Sequence, residues 1–467
     1  MRKLLSILLS LVLLVGLVAC GATGEGEKNN APQGLQVGFG RENITPLGAA
    51  VHLQGGDWAS RISSGMLDYQ FVTCIAIREG DVTALLYTMD FKVATDNFVD
   101  PAKAAVSAAT GVPEEYILFN ATHTHAATAI RYNWDGVEEY RKSFYDASVL
   151  AAQNAMADMS PAEIYAGSTQ TEAMTFVRHY VNDKGEIVLR SSPDVYDHAR
   201  EADGELQLVK FARAAEDKKD VVLVSFPTHA TFNEGGTELS ADFPSPMRDY
   251  MEKTEDCLVA YFMGAAGNQT PDSKVGKAVN SSNYRVYGEK LGQYALDALP
   301  TLTKVEGQTI KLNTKTFTAN TNKKNVDKLP GAKEVTQLAS QYGQNAPETK
   351  AALEKHGFAM YLEASWTITR ANLDPTKSME LKTLAVGDVS FVLAPDEMFG
   401  HHGTDIKTGS VYDNTFIITC AEGSHNYIAS TEAFDYNAYE SYCCYFEQGT
   451  AEKLVTEFLG MLEEMKK

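Results

Sequence analysis

The chain has 467 residues, 44% hydrophobic and 22% charged, with 41 lysines and arginines against 61 aspartates and glutamates, a formal net charge of -20. This composition excludes a disordered chain, a disulfide miniprotein and a polytopic membrane protein, and the length suits either several domains or one large α/β domain. The acidic excess excludes a nucleic-acid binder, which needs clustered Lys and Arg, so a small molecule is the expected partner and no protein partner is predicted.

In chain order, Met1-Arg2-Lys3, an apolar stretch over 4–18 and the closing Leu17-Val18-Ala19-Cys20 read as a secretory signal. The ending resembles the bacterial lipobox, so residues 1–19 are expected to be removed and Cys20 lipidated. Acyl chains at about 0.8 kcal/mol per buried methylene make a stable anchor. Residues 20–34 then form a flexible tether and 35–467 a folded domain, extracytoplasmic and held to a bacterial cell membrane by that lipid. Cys74, Cys257, Cys420, Cys443 and Cys444 show neither zinc-finger nor disulfide spacing; Cys74 and Cys420 sit in apolar runs and are expected as buried free thiols.

Short apolar runs alternating with amphipathic stretches predict α/β organisation: one large mixed-sheet domain with helices and an active site at strand ends. Helices are expected over 137–156, 284–299 and 451–465, the last capped by Thr450. Residues 313–330, rich in Asn, Thr and Lys, are expected to be the least ordered, with helix following over 331–356; the region 313–385 reads as an insertion or lid.

Five apolar runs each end in residues suited to catalysis. They lead into Asn120 to His125, Pro227-Thr228-His229, Gly264 to Pro271, Pro395-Asp396-Glu397 and Glu422 to Tyr427. In sheets covered by helices, ligands gather beyond the carboxyl ends of strands, so these loops are expected to converge. If strand geometry persists, His123 and His125 share one face. A His-x-His pair with a further His229 and the carboxylate of Glu397 is a zinc inventory. His401 would share a helix face with Glu397, and with His402 is expected behind the metal rather than on it. Asp90 and Asp242 are strand-end or loop acids able to orient a histidine, expected as turn residues. His52, His179, His198, His356 and His425 carry no spacing argument.

These residues carry a resemblance to the neutral/alkaline non-lysosomal ceramidases, zinc-dependent amidases that release a fatty acid from a sphingoid amine. The match runs from Val37-Gly-Phe-Gly-Arg41-Glu-Asn-Ile44-Thr-Pro46 through Ala121-Thr-His123-Thr-His125, Thr175 to Tyr180 and Pro227-Thr-His229. It continues through Gly264 to Pro271, Pro395-Asp396-Glu397 and Asn426 to Glu432, closing at Tyr439-Glu440. The chain departs from the family pattern at Ala126-Ala127-Thr128, Asn268 and Thr270. The resemblance implies His123, His229, Glu397 and Tyr427 as ligands of Zn2+, His125 as a catalytic partner beside the metal, Arg178 facing the substrate, and Thr270 in a loop that donates to the reacting carbonyl. The expected activity is hydrolysis of an N-acyl amide, ceramide or another N-acyl lipid, by zinc-activated water. The alternatives are a zinc esterase or lactonase and a noncatalytic ligand-binding lipoprotein.

Overall fold

The computed structural model describes residues 34–48, 50–54, 61–275, 282–423 and 426–467. The expected signal, Cys20, nearly all of the tether and His425 lie outside the described residues. Among the described residues no helix is long and apolar enough to cross a membrane.

Several strands carry apolar residues on both faces because both faces are covered. In Asp220–Phe226, Val221 and Leu223 enter the core between two sheets, whereas Val222 and Val224 pack under helices. Phe71–Glu79 repeats the pattern, with Ile75 and Ile77 facing the second sheet and Cys74 and Ala76 facing helices.

The first sheet runs in the order Cys257–Met263, Asp220–Phe226, Glu205–Arg213, Ser160–Gln170, Gln36–Asn43, Phe71–Glu79, Val82–Met89 and Ile117–Ala121, with Thr303–Lys304 beside Ser160–Gln170. Its middle is antiparallel and the outermost pair at each edge is parallel. The second sheet is Ile310–Asn320, Thr376–Val386, Val389–Leu393 and Asn414–Ile418, the last two parallel. Phe262, Phe391 and Phe416 pack between the sheets.

Helices Asp96–Thr110, Val137–Ala157, Pro244–Thr254 and Tyr284–Ala298 cover the outer face of the first sheet. Gly400–Gly409 and Thr450–Lys466 cover the second, giving four layers and the expected α/β class with two stacked sheets. The opening Gly-Phe-Gly is a packing device. A Cβ at Gly38 would lie 1.9 Å from the Ala155 carbonyl oxygen and one at Gly40 2.1 Å from that of Ala151, so helix Val137–Ala157 rests directly on the strand backbone.

Three helices fall close to the expected spans; the last is preceded by Gly449 at φ +88, while Thr450 bonds back to the Glu447 carbonyl at 2.8 Å. The helical stretch expected over 331–356 is two helices, Leu329–Tyr342 and Pro347–His356, divided at Gly343 with φ +99. Of the stretch expected to be poorly ordered, residues 313–320 belong to Ile310–Asn320, an edge strand paired along its whole length with Thr376–Val386. An edge strand keeps one side toward solvent, which accommodates its Thr, Asn and Lys content. The excursion between these strands holds three helices with their own apolar cluster, including Val335, Phe358 and Ala364.

Beyond Ile418 the chain bridges the two edges of the first sheet. Thr419 N–H donates to the Met263 carbonyl (2.8 Å), Ala121 N–H to that of Cys420 (3.1 Å), and Glu422 N–H to that of Phe119 (3.0 Å). The bridge is fixed by the buried Glu422 carboxylate, which receives Lys103 at 2.6 Å, Lys382 at 2.7 Å and Phe119 N–H at 2.6 Å. It draws the carboxyl ends of the five chemistry-bearing strands together. All five cysteines among the described residues are free and buried.

Candidate metal centre and its cavity

Strand Ile117–Ala121 ends before the histidines. His123 has φ +65, left-handed backbone that a non-glycine side chain adopts at a cost of order 1–3 kcal/mol. The expectation of two imidazoles on one strand face therefore gives way to a turn, which sets the His123 and His125 rings 4.9 Å apart at 74°. His229, after Asp220–Phe226, brings its ring within 4.8 Å of His123 and 5.9 Å of His125. The ligating nitrogens of these three buried histidines lie within 4.8 Å of one another.

Glu397 follows Val389–Leu393 and pairs in parallel with Tyr427. Its Oε2 lies 3.2 Å from His229 Nε2 and 3.4 Å from His123 Nε2. The loop behind it fixes this position. Gly267 N–H donates to the Met398 carbonyl at 2.7 Å, and a Cβ on Gly267 would meet the Glu397 carbonyl oxygen at 2.2 Å.

The tautomers follow from the partners. His123 Nδ1 faces the Lys92 carbonyl at 2.6 Å; His229 Nδ1 faces the carbonyls of Ala266 and Gln269 at 2.8 and 2.9 Å. His125 Nδ1 lies 3.1 Å from the Glu234 carboxylate. The carbonyls of Lys92, Ala266 and Gln269 only accept, so Nδ1 of His123 and of His229 carries a proton and their Nε2 atoms turn inward. The Nε2 atoms of His123 and His125 are 3.3 Å apart, with the Glu397 oxygen beside them. Lone pairs converging without a donor repel, and a cation removes the conflict. The donor set, imidazoles plus a carboxylate with Nδ1 of His123 and His229 engaged behind, is one that fits zinc.

Against its burial, His123 and His229 hold the Glu397 carboxyl well below the usual range, a pull that needs positive charge where His229 is neutral and that a bound cation would supply. Burial and Arg178 lower His229, and burial and Lys92 lower His125 well below an ordinary imidazole, so both are neutral. Burial raises the Tyr427 hydroxyl well above its ordinary range against the pull of Arg178, whose guanidinium lies 5.3 Å from the ring centre. Arg178 is itself fixed by Glu440 (Nε to Oε1, 2.6 Å) and the Gly267 carbonyl (2.9 Å).

A cavity of about 730 Å³ opens onto this cluster. His125, His229, Glu397, Tyr427 and Arg178 line it, and His123 lies behind them. One wall is apolar, from Met360, Leu362 and Trp366 of the helical excursion; Ile187, Val188 and Leu189 form another. Thr270 is not among the lining residues: it is buried in a two-residue strand paired with Phe176–Val177. His401 and His402 line a separate cavity of about 380 Å³ with Arg200 and Glu452. Asp90 pairs with Arg248 at 3.0 and 2.8 Å and receives Thr122, the neighbour of His123, at 3.2 Å. Asp242 caps backbone and side-chain N–H groups of Phe243 and Asn233; neither acid touches a site histidine through these bonds.

Sequence reasoning missed three residues. Glu234 stands behind His125, its carboxylate 3.1 Å from Nδ1, and lies in a Gly-rich loop with no motif. His179 lines the cavity between Glu440 (2.8 Å) and the Tyr436 hydroxyl (2.9 Å); its place beside Arg178 was the available signal. Lys92 also lines the cavity and offers its carbonyl to His123.

Among solved structures, neutral ceramidase from Pseudomonas aeruginosa matches with a TM-score of 0.68 at 16% identity, covering 93% of this chain and 75% of that one. A second, ceramidase complexed with C2, matches with the same score, identity and coverage. No family model matches the sequence, and no curated protein does. The chain thus has the ceramidase-like fold that its motifs implied.

Proposed function

We propose that the protein is a zinc-dependent amidohydrolase that cleaves an N-acyl amide. The observation that carries this reading is the convergence of three buried imidazoles and the Glu397 carboxylate at the floor of a part-apolar cavity. His123, His229 and Glu397 would hold the ion, with Tyr427 completing the set. Zinc, when bound, supplies a Lewis acid for a carbonyl oxygen and a water acidic near neutral pH.

The chain's own residues would do the rest. Met360, Leu362 and Trp366 exclude water and receive the acyl chain. His125, backed by Glu234, would take a proton from the attacking water and pass it to the departing amine nitrogen, and the Glu234 carboxylate would stabilise the imidazolium formed between the two steps. Arg178, pinned by Glu440 and Gly267, orients the Tyr427 hydroxyl. Thr270 would act through the loop that carries Asn268 and Gln269, since it does not face the cavity. A lipidated Cys20 would keep this site beside a membrane surface.

The test is hydrolysis of medium-chain N-acyl amides by zinc-loaded protein, with acid and amine quantified by mass spectrometry. Stoichiometric release of both, lost in His229→Ala, supports the reading. Full zinc loading without amide cleavage, while esters or lactones are cleaved, transfers the site to the alternative bond.

A further inference from the structure

We infer that the substrate carries a carboxylate on its amine portion and that Arg131 recognises it. The inference rests on the hydrolase reading above and names its substrate class: N-acyl amino acids.

The cavity wall is charged, and its charges are largely matched. Glu397 faces His123 and His229, Glu234 faces His125, and Glu440 takes both Arg178 and His179. Arg190 at the rim pairs with Asp272. Arg131 lines the same cavity but has no carboxylate partner among the described residues. Its guanidinium reaches only neutral oxygens at long range, Asn426 Oδ1 at 3.3 Å and the Tyr445 hydroxyl at 3.5 Å. In a chain of net charge -20, acidic side chains are abundant, yet among the described residues none pairs with this cation.

Its location fixes what it could bind. Asn426 immediately precedes Tyr427, and its carbonyl accepts the Glu397 N–H at 2.9 Å, so Arg131 is joined to the floor of the site through one residue. Tyr445 on its other side packs against Trp366, ring centres 5.3 Å apart, at the apolar wall. An N-acyl amino acid has this layout: an alkyl chain, an amide, and a carboxylate two bonds from the amide nitrogen. A planar guanidinium with free N–H groups receives a carboxylate in two parallel hydrogen bonds, which a neutral hydroxyl cannot reproduce.

The experiment compares N-dodecanoyl-glycine with N-dodecanoyl-ethanolamine, equal in acyl chain and differing in the terminal carboxylate. The zinc-loaded protein is expected to favour the glycine conjugate by about ten-fold or more in kcat/KM, the size of one charged hydrogen-bonded contact. Arg131→Met brings the ratio toward one, and Arg131→Lys retains part of it. A ratio unchanged by Arg131→Met, or a wild-type preference for the ethanolamine conjugate, overturns the inference. If neither conjugate is cleaved, the amide-cleaving reading fails for both and calorimetry still decides on Arg131. N-dodecanoyl-glycine must then bind the wild type about ten-fold more tightly than Arg131→Met, and equal binding overturns the assignment.

Discussion

Gly267→Ala tests how the site is held. The added methyl would stand 2.2 Å from the Glu397 carbonyl oxygen, 2.9 Å from its carbon and 3.0 Å from the Met398 carbonyl oxygen, all backbone atoms that no rotamer change can move. Ordinary contact requires the two segments to part by roughly 1 Å, and forcing such a group into a packed interior costs about 1–3 kcal/mol. The same shift moves Glu397 beyond the roughly 0.5 Å that a preorganised site tolerates, and a 1 Å misplacement lowers turnover on the order of 100-fold. It also disturbs the Gly267 carbonyl that receives Arg178. Zinc affinity against a competing chelator, kcat/KM on an N-acyl amide and thermal melting read the three consequences. Gly460→Ala is the control, since its methyl meets nothing within 4 Å. A Gly267→Ala protein with wild-type melting and zinc affinity would refute the packing account of Glu397.

Further outcomes are expected elsewhere. His125→Ala keeps its zinc and loses hydrolysis, whereas His123→Ala loses both; zinc lost from His125→Ala, by elemental analysis, would make His125 a ligand. Glu234→Gln retains zinc and lowers kcat at least ten-fold, the usual cost of removing a histidine's carboxylate partner, checked by steady-state kinetics. Glu422→Ala strands Lys103, leaves Lys382 with Glu380 alone, and costs about 3–5 kcal/mol in urea unfolding. His401 is held down to about 3 by burial, His402 and Arg200. Its folded value is below the ordinary 6.5 or so, so the unfolded chain takes the proton first; its stability contribution is complete above that pH and is lost as pH falls toward 3. Between pH 7.5 and pH 5 this costs about 2 kcal/mol, and His401→Gln narrows that gap in urea midpoints.

The strand runs were legible because strands covered on both faces are apolar throughout, as Val221 to Val224 are. The loops after them could be singled out for the same reason: polar residues directly following such runs stand at the sheet's end. What the sequence pattern left open depends on contacts distant along the chain. Glu234 meets His125 across 109 positions with no motif of its own, and the Glu422 bridge joins residues 319 apart. The turn at His123 was hidden because its positive φ is imposed by surrounding packing, not by a glycine. The Gly38 and Gly40 motif pointed to a family but serves packing, and Thr270 belongs to a motif but is buried and does not line the cavity.

The most direct test is cleavage of N-acyl amides in 18O-water by protein shown to carry one zinc per chain. The account predicts release of the free amine and a fatty acid with one 18O, both abolished in His229→Ala. A fully zinc-loaded protein that leaves every N-acyl amide intact would contradict it.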